Sequence, residues 1–521
     1  MPLLCRATEL RGYGKPYSYN GGESPVNLDP KWVPMKWPCG PLEWARRNKS
    51  KSVGAELKQT LEAWAQPAAL DLLKGTPVNC LVVEWADGAP EDSAQQEALK
   101  PLLEAGRRLG INFVGKVGAG EGIAAAVASA QQAGLSAAML AEPSGHSFDL
   151  PVILQFPRDR VAWKSATRIF SSTDNEWPGL KLETMRGDTA IAGPTGVPWV
   201  NSNAWFSLLS DELAPGKTRW LDFDPPDEAN VAHPANYALA LADSQAYRSR
   251  WIISLDDNLR TALLKGNPQA TSVWSKTCET VTFFENHREW EGFQSQGILA
   301  VISDFLGDNA FLGGEVLNLL NRRKVQFQVR ERSRALSTPA PGLKAILWLD
   351  KVAPSADQLA KLLAFVRQGG LVIAAAYWGP SGVMPKTKDP SLDYKMYNIG
   401  QGQIAVSVEG FQDPYQVAVD AHLLVSRRND LVRLYNPATT NCHSSLDPVH
   451  KRRLVQILNY SSSAASFVTL WVNTRARSAR LWSPGARDCL SLPGVPAAPG
   501  TEFGLPTISV DCALEVEGSN L

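Results

Sequence analysis

The sequence predicts an α/β chain: a (β/α)8 TIM barrel, then a flavodoxin-like α/β domain, then a C-terminal antiparallel β-sandwich. Three changes of rhythm along the 521 residues carry this prediction. From Pro77 to Asp256, short apolar runs of the kind buried in parallel sheets alternate with helical stretches. From Gly297 a second, shorter strand–helix alternation begins. Past Asn398 the pattern turns to alternating strands. The boundaries that follow are 1–295, 296–397 and 398–521, and a chain of this length can bury several cores.

Residues 1–70 begin rich in Gly, Pro, Trp and Tyr and then give helical patterns at Pro41–Asn48 and Ser52–Leu73. Pro34 and Pro38 interrupt Lys31–Gly40, which reads as an edge strand or a loop laid across a domain mouth. Eight candidate strands follow: Val78–Trp85, Ile111–Val117, Ser136–Glu142, Pro151–Phe156, Thr167–Ser172, Thr189–Gly193, Thr218–Asp224 and Arg250–Asp256. Helical stretches stand at Glu91–Leu109, Glu121–Ala133, Ser202–Leu213, His233–Ser249 and Thr271–Arg288, the first two closed by Gly110 and Gly134 as C-caps. Eight strands with helices between most of them point to a closed barrel rather than an open sheet.

The second unit reads as strand Gly297–Phe305, helix Gly314–Arg323, strand Val325–Arg330, strand Leu343–Asp350, helix Ser355–Gln368 and strand Leu371–Ala376, a small doubly wound sheet. The third reads as short strands, among them Q-I-A-V-S-V, R-L-V-Q-I-L-N-Y, F-V-T-L-W-V and A-L-E-V.

Composition excludes several classes. Lys+Arg and Asp+Glu are both 52, so no basic excess marks a nucleic-acid binder. The N-terminus lacks a basic start followed by an apolar run, and no stretch of 18 apolar residues is present, so neither a signal peptide nor a membrane span is expected. Seven cysteines without a CxxC spacing read as neither a disulfide framework nor a zinc site. A cytoplasmic location is favoured, with secretion or the periplasm open if the chain was trimmed. No H-x-x-H, H-E-x-x-H or G-x-S-x-G appears, and Gly118–Gly122 lacks the rest of a phosphate-binding motif, so no metal and no cofactor is expected.

The stretch Ser171–Asp224 mixes tryptophans, amides and carboxylates without a regular period, which reads as shaped loops. Flat indole faces, hydroxyl-matching amides and acid/base groups are the chemistry of a sugar-binding cleft. Barrel active sites lie at the C-terminal strand ends, so acids there are the candidates for chemistry. Glu142, Asp222, Asp224 and Glu84 qualify as catalytic candidates, Glu142 with Asp222 or Asp224 first. Trp177, Lys181, Trp199, Asn201, Asn203, Trp205 and Asp256 are the candidate substrate-binding residues. The alternative for each strand-end acid is an ion pair, and Lys116 is placed to neutralise Glu84 or Glu142.

The domain order resembles that of the β-galactosidases whose middle domain is a glutamine-amidotransferase-like trimerisation module. Arg452–Pro484, with R-R-L-V-Q-I-L-N-Y-S-S, V-T-L-W-V and S-A-R-L-W-S-P, is similar to their C-terminal β-domain, as is G-Q-G-Q-I-A-V-S-V before it. The resemblance implies a glycosidase acting on a carbohydrate with no cofactor, and a possible homo-oligomer, a trimer. It also implies an Asn-Glu acid/base motif after strand four. Here the fourth candidate strand ends P-V-I-L-Q-F-P-R without an acid, and Ala141-Glu142-Pro143 follows the third and lacks the Asn. Y-W-G-P after Leu371–Ala376 has no cysteine nucleophile, so the amidotransferase-like domain is expected to be structural. Three readings follow: a glycoside hydrolase with paired carboxylates at the barrel mouth, a non-catalytic carbohydrate-binding or scaffold protein with a degenerate barrel, and a lyase or isomerase using Lys164 or Lys116.

Overall fold

A computed structural model describes residues 28–50, 54–158, 167–181, 183–184, 190–191, 199–226, 234–334, 342–385, 393–436, 438–447 and 449–518. Its first unit is an eight-stranded parallel sheet in chain order: β1 (Pro34–Lys36), β2 (Cys80–Ala86), β3 (Asn112–Val117), β4 (Ala137–Leu140), β5 (Val152–Pro157), β6 (Ile169–Thr173), β7 (Thr218–Leu221) and β8 (Arg250–Trp251). Met35 bridges Ile253 in parallel, the Lys36 amide donates to the Ile253 carbonyl at 2.8 Å, and the Ile253 amide donates to the Pro34 carbonyl at 2.9 Å. These contacts close the sheet into a barrel.

Around it pack α1 (Gly40–Ser50) and α2 (Ala55–Trp64) after β1, α3 (Asp92–Arg108) after β2, and α4 (Ile123–Gln132) after β3. Then come α5 (Ala204–Leu213) before β7, α6 (Pro234–Ala246) before β8, and α7 (Asp257–Leu264) and α8 (Pro268–Asn286) after it. On α3, Leu99, Leu102, Leu103 and Gly106 are buried, the i, i+3, i+4, i+7 stripe that faces a core. Two apolar layers result. Met35, Leu81, Val83, Phe113 and Phe170 face the helices, whereas Val82, Val114, Met139, Ile153, Ile169, Trp220 and Ile252 fill the barrel with Trp32.

Two strand assignments are corrected. Lys31–Gly40 contains β1 itself, because Pro34 stands at the first strand position, where its missing N–H costs no ladder bond. Thr189–Gly193 is not a barrel strand. Its described residues Ala190–Ile191 pair antiparallel with Glu183–Thr184 outside the barrel, and the rest of that run lies outside the described residues. The count of eight therefore stands with a different membership, and every candidate strand before Thr189 moves up by one. Between β4 and β5 the chain runs without a helix.

The second sheet has the order β10 (Phe327–Glu331), β9 (Leu299–Ser303), β11 (Ala345–Trp348), β12 (Leu371–Ala374), β14 (Gly402–Ser407), β13 (Tyr394–Ile399). All neighbours are parallel except the β13–β14 hairpin. Gly402–Ser407 thus belongs to this sheet rather than to the antiparallel strands after it. The helices are α9 (Asp308–Arg322), α10 (Ala356–Arg367) and α11 (Pro414–Val425), the last in a region expected to hold strands only. A capping box of Ser355 and Gln358 starts α10.

The remaining strands are β15 (Val432–Tyr435), β16 (Thr440–Asp447), β17 (Arg452–Asn459), β18 (Thr469–Val472), β19 (Ser478–Trp482), β20 (Leu490–Pro493), β21 (Val495–Ala497), β22 (Gly500–Gly504) and β23 (Asp511–Glu517). They form two antiparallel sheets, β16-β17-β23-β19-β20 and β15-β18-β22-β21, with Gln294–Ser295 added to the edge of the first. Val455, Ile457, Leu470, Val472, Phe503 and Leu514 from both sheets share one buried cluster. Among the described residues, no helix is long and apolar enough to cross a membrane.

Candidate active site

Strand alternation builds the barrel mouth. A strand residue two positions past an inward apolar one also faces inward. Val82, Val114, Ile153, Ile169, Trp220 and Ile252 fill the barrel, so the next inward positions are Glu84, Lys116, Gln155, Ser171, Asp222 and Ser254. Lys36 joins them at the end of β1, and Ala141 follows Met139 at the end of β4. A polar ring therefore sits on an apolar floor, at the strand ends where barrel sites form.

Asp222 is the centre of that ring, its side chain only 4% exposed. The Lys36 ammonium pairs with it, and Gln155 Nε2 donates to its Oδ2 at 2.6 Å. The Asn175 amide, from the loop after β6, donates to its backbone carbonyl at 3.3 Å. Asp224 lies above it, 67% exposed, with Lys36 Nζ at 2.7 Å and the Ser254 hydroxyl at 2.6 Å. Burial alone would raise the Asp224 carboxyl. The charge and hydrogen bond of Lys36, the Ser254 hydroxyl and Lys116 outweigh it and hold the group down at about 2. Burial would likewise lower Lys36, but the two aspartates hold its ammonium above the ordinary lysine value.

Glu84 is clamped by Arg46 Nη1 at 2.7 Å, with Lys116 Nζ at 3.6 Å. Glu142 lies one residue beyond Ala141 and is exposed. With the corrected count, Ala141-Glu142-Pro143 follows the fourth barrel strand. Because all eight strands run parallel, Glu142, Asp222 and Asp224 stand at the same end of the barrel. Asp256 caps the N-terminus of α7, accepting from the Leu259 amide at 2.9 Å and contacting the Tyr237 hydroxyl.

The aromatic and amide residues divide in two. Trp177 stands edge-on to Tyr237 and Trp251, each ring at 5.6 Å, and its indole N–H has no partner among the described residues. Trp199, Val200 and Asn201 form a short strand paired antiparallel with Gly179–Lys181, and the Lys181 side chain lies outside the described residues, as does Lys164. Arg322 of α9 covers the Trp199 ring, and Arg158 stands 5.2 Å from the Trp205 ring. Asn203 is buried. Its Oδ1 accepts from the Glu176 amide at 2.9 Å, and its Nδ2 donates to the Glu176 carbonyl at 2.7 Å and to Asp243 at 3.3 Å. Trp199, Trp205 and Asn203 thus meet protein partners, while Trp177 holds an unused donor.

Lys36, Gln155, Ser171 and Ser254 were not singled out from the sequence. The signal existed: each stands two residues past an inward position, and alternation alone would have found Gln155, Ser171 and Ser254. Among the described residues, no group of three or more His, Cys, Asp or Glu could hold a metal ion.

The chain resembles solved structures in its fold. The chain is similar to α-L-fucosidase isoenzyme 2 from Paenibacillus thiaminolyticus, at 9% identity and a TM-score of 0.57, over 94% of this chain and 100% of that one. This likeness is one of fold. A cold-adapted β-galactosidase from Rahnella sp. R3 matches at 10% identity over 91% and 98% of the two chains, with a TM-score of 0.48. A GH42 β-galactosidase from G. stearothermophilus matches at 9% identity over 94% and 98%, with a TM-score of 0.47. No family model matches the sequence, and no curated protein matches it.

Proposed function

We propose that the chain is a glycoside hydrolase-like, carbohydrate-active protein whose cleft is the C-terminal mouth of the barrel. One observation carries this reading: exposed carboxylates follow β4 and β7 at the same opening, and one of them, Asp224, is held ionised by Lys36 and Ser254. Glycosidic bond cleavage needs a protonated acid and an ionised carboxylate with separated pKa values. Asp224 takes the ionised part, as nucleophile or as base toward water. Glu142 is the acid that protonates the leaving oxygen, and its place after strand four is the one the β-galactosidase resemblance assigns to an acid/base, with Ala141 where that motif has Asn. Asp222 and Lys36 fix Asp224, and Glu84 is held at the end of β2 by Arg46 and Lys116. Trp177 packs edge-on against Tyr237 and Trp251 beneath the rim, and Asn201 stands beside it on the strand paired with Gly179–Lys181.

Residues 1–295 form the catalytic-like domain. The flavodoxin-like, amidotransferase-like unit is a structural or oligomerisation domain, whose end moves from 397 to beyond Ser407 because Gly402–Ser407 pairs with Leu371–Ala374. The two antiparallel sheets are the C-terminal β-sandwich.

A second reading, a non-catalytic carbohydrate-binding barrel, is favoured by Lys36, which engages both aspartates at once. A panel of aryl glycosides and polysaccharides separates the two. The expected result is turnover by the wild type, lowered about 10²–10⁴-fold in Glu142→Gln and in Asp224→Asn. Sugar binding without turnover selects the second reading, and unchanged turnover in both variants removes the proposed pair.

A further inference from the structure

The second unit reaches the barrel rim through α9. Arg322, near the end of that helix, stacks its guanidinium 3.4 Å from the Trp199 ring centroid, and its Nε donates to the Val200 carbonyl at 3.0 Å. Gly314 of the same helix abuts Trp205, where an added Cβ would stand 3.1 Å from the ring. Arg158, which also stands over the Trp205 ring, pairs with Glu176 at 3.4 Å, and Asn203 clasps both backbone groups of Glu176. The strand Trp199–Asn201 pairs with Gly179–Lys181, which continues from the loop after β6. A continuous set of contacts thus runs from α9 to the loop that carries Glu176 and Trp177. Burial pulls the Arg322 guanidinium down to about 10 against the opposing charges of Glu176 and Glu315.

We propose that Arg322 is a positioning residue for the cleft: through it, α9 of the second unit fixes the Trp199–Asn201 strand and with it the rim loop bearing Trp177. The role in sugar binding rests on the carbohydrate reading above, whereas the anchoring itself is independent of any ligand. The side chain suits the task because a planar guanidinium can cover an indole face and donate sideways in its own plane. A lysine supplies the charge without the plane.

The test uses the full chain with Arg322→Ala and Arg322→Lys. Amide hydrogen exchange without ligand, followed over residues 175–181 and 199–206, is expected to be about tenfold faster in Arg322→Ala, with Arg322→Lys close to it and the barrel strands unchanged. On any aryl glycoside turned over, KM rises about tenfold while kcat stays within about twofold. Should Arg322→Ala fail to fold, Arg322→Lys and Gly314→Ala, which crowds Trp205 from the same helix, carry the same comparison. Wild-type exchange in those segments overturns the proposal whether or not a sugar is turned over. Faster exchange with an unchanged KM overturns the positioning role. Faster exchange in a protein that neither cleaves nor binds sugar leaves the anchoring intact and sinks the carbohydrate reading instead.

Discussion

Lys36 shows how much one side chain can determine at the barrel mouth. An ammonium or a carboxylate in a barrel interior is tolerated when it is paired, and the mostly buried Lys36 pairs with Asp222, whose side chain is almost closed off from water. Removing one partner leaves the other charge uncompensated. Lys36→Met is therefore expected to destabilise the protein by about 3–5 kcal/mol, read from urea or guanidinium melts at neutral pH. Asp224 is a milder case because solvent reaches it and screens its partners. Its carboxyl is held at about 2 in the folded chain, against about 3.9 when unfolded. Its contribution to stability is complete above about pH 4 and is lost as pH falls toward 2. Stability measured between pH 5 and 2 should therefore slope less steeply in Asp224→Asn than in the wild type, and parallel curves would show that the Lys36 contact carries no linkage.

At the scale of elements, the striped helices were the legible part, whereas α7 and α11 were not expected. The stripes of α3, α8 and α10 repeat every three to four residues, so each was visible within its own sequence. The strands were legible as runs but not as a ring. β1 is three residues long, begins on Pro34 and ends two residues before Pro38, and its partners lie at Cys80–Val82 and Ile253. Nothing local marks it as a barrel strand. That omission displaced Glu142 from strand four to strand three. Asp256 shows the same limit: a strand-end acid on the rim is also the N-cap of α7. Asp256→Ala is expected to cost about 1 kcal/mol, and Asp256→Asn, which can still cap, close to nothing. Thermal melts compare the two. A loss of sugar affinity in the Asn variant at full stability would return Asp256 to the binding site.

For the whole molecule, the seam between barrel and C-terminal sheets runs through Asp243. This buried carboxylate accepts from the Tyr460 hydroxyl at 2.6 Å, the Ser202 hydroxyl at 2.6 Å and the Asn203 amide at 2.9 Å. Burial raises its pKa above the usual carboxylate value, and those donors oppose the rise. Tyr460→Phe removes one donor from a group with no access to water and is expected to cost about 1–3 kcal/mol in urea melts. A separate early transition for the C-terminal sheets in that variant would show that this bond couples the two units. Asp243 bonds to the residues that set the rim, so stability and site geometry share a side chain here.

The amino-acid sequence by itself determined that short apolar runs would form a parallel barrel, that helices would cover it, and that Glu142, Asp222 and Asp224 would stand at strand ends. Those properties are periodic and local, and each can be read within a dozen residues. Only the tertiary structure decided which strand comes first, that Lys36 closes over both aspartates, and that α9 of another unit braces Trp199. Such pairings join residues far apart in the chain, and ring closure and desolvation select them; a local period carries no record of either.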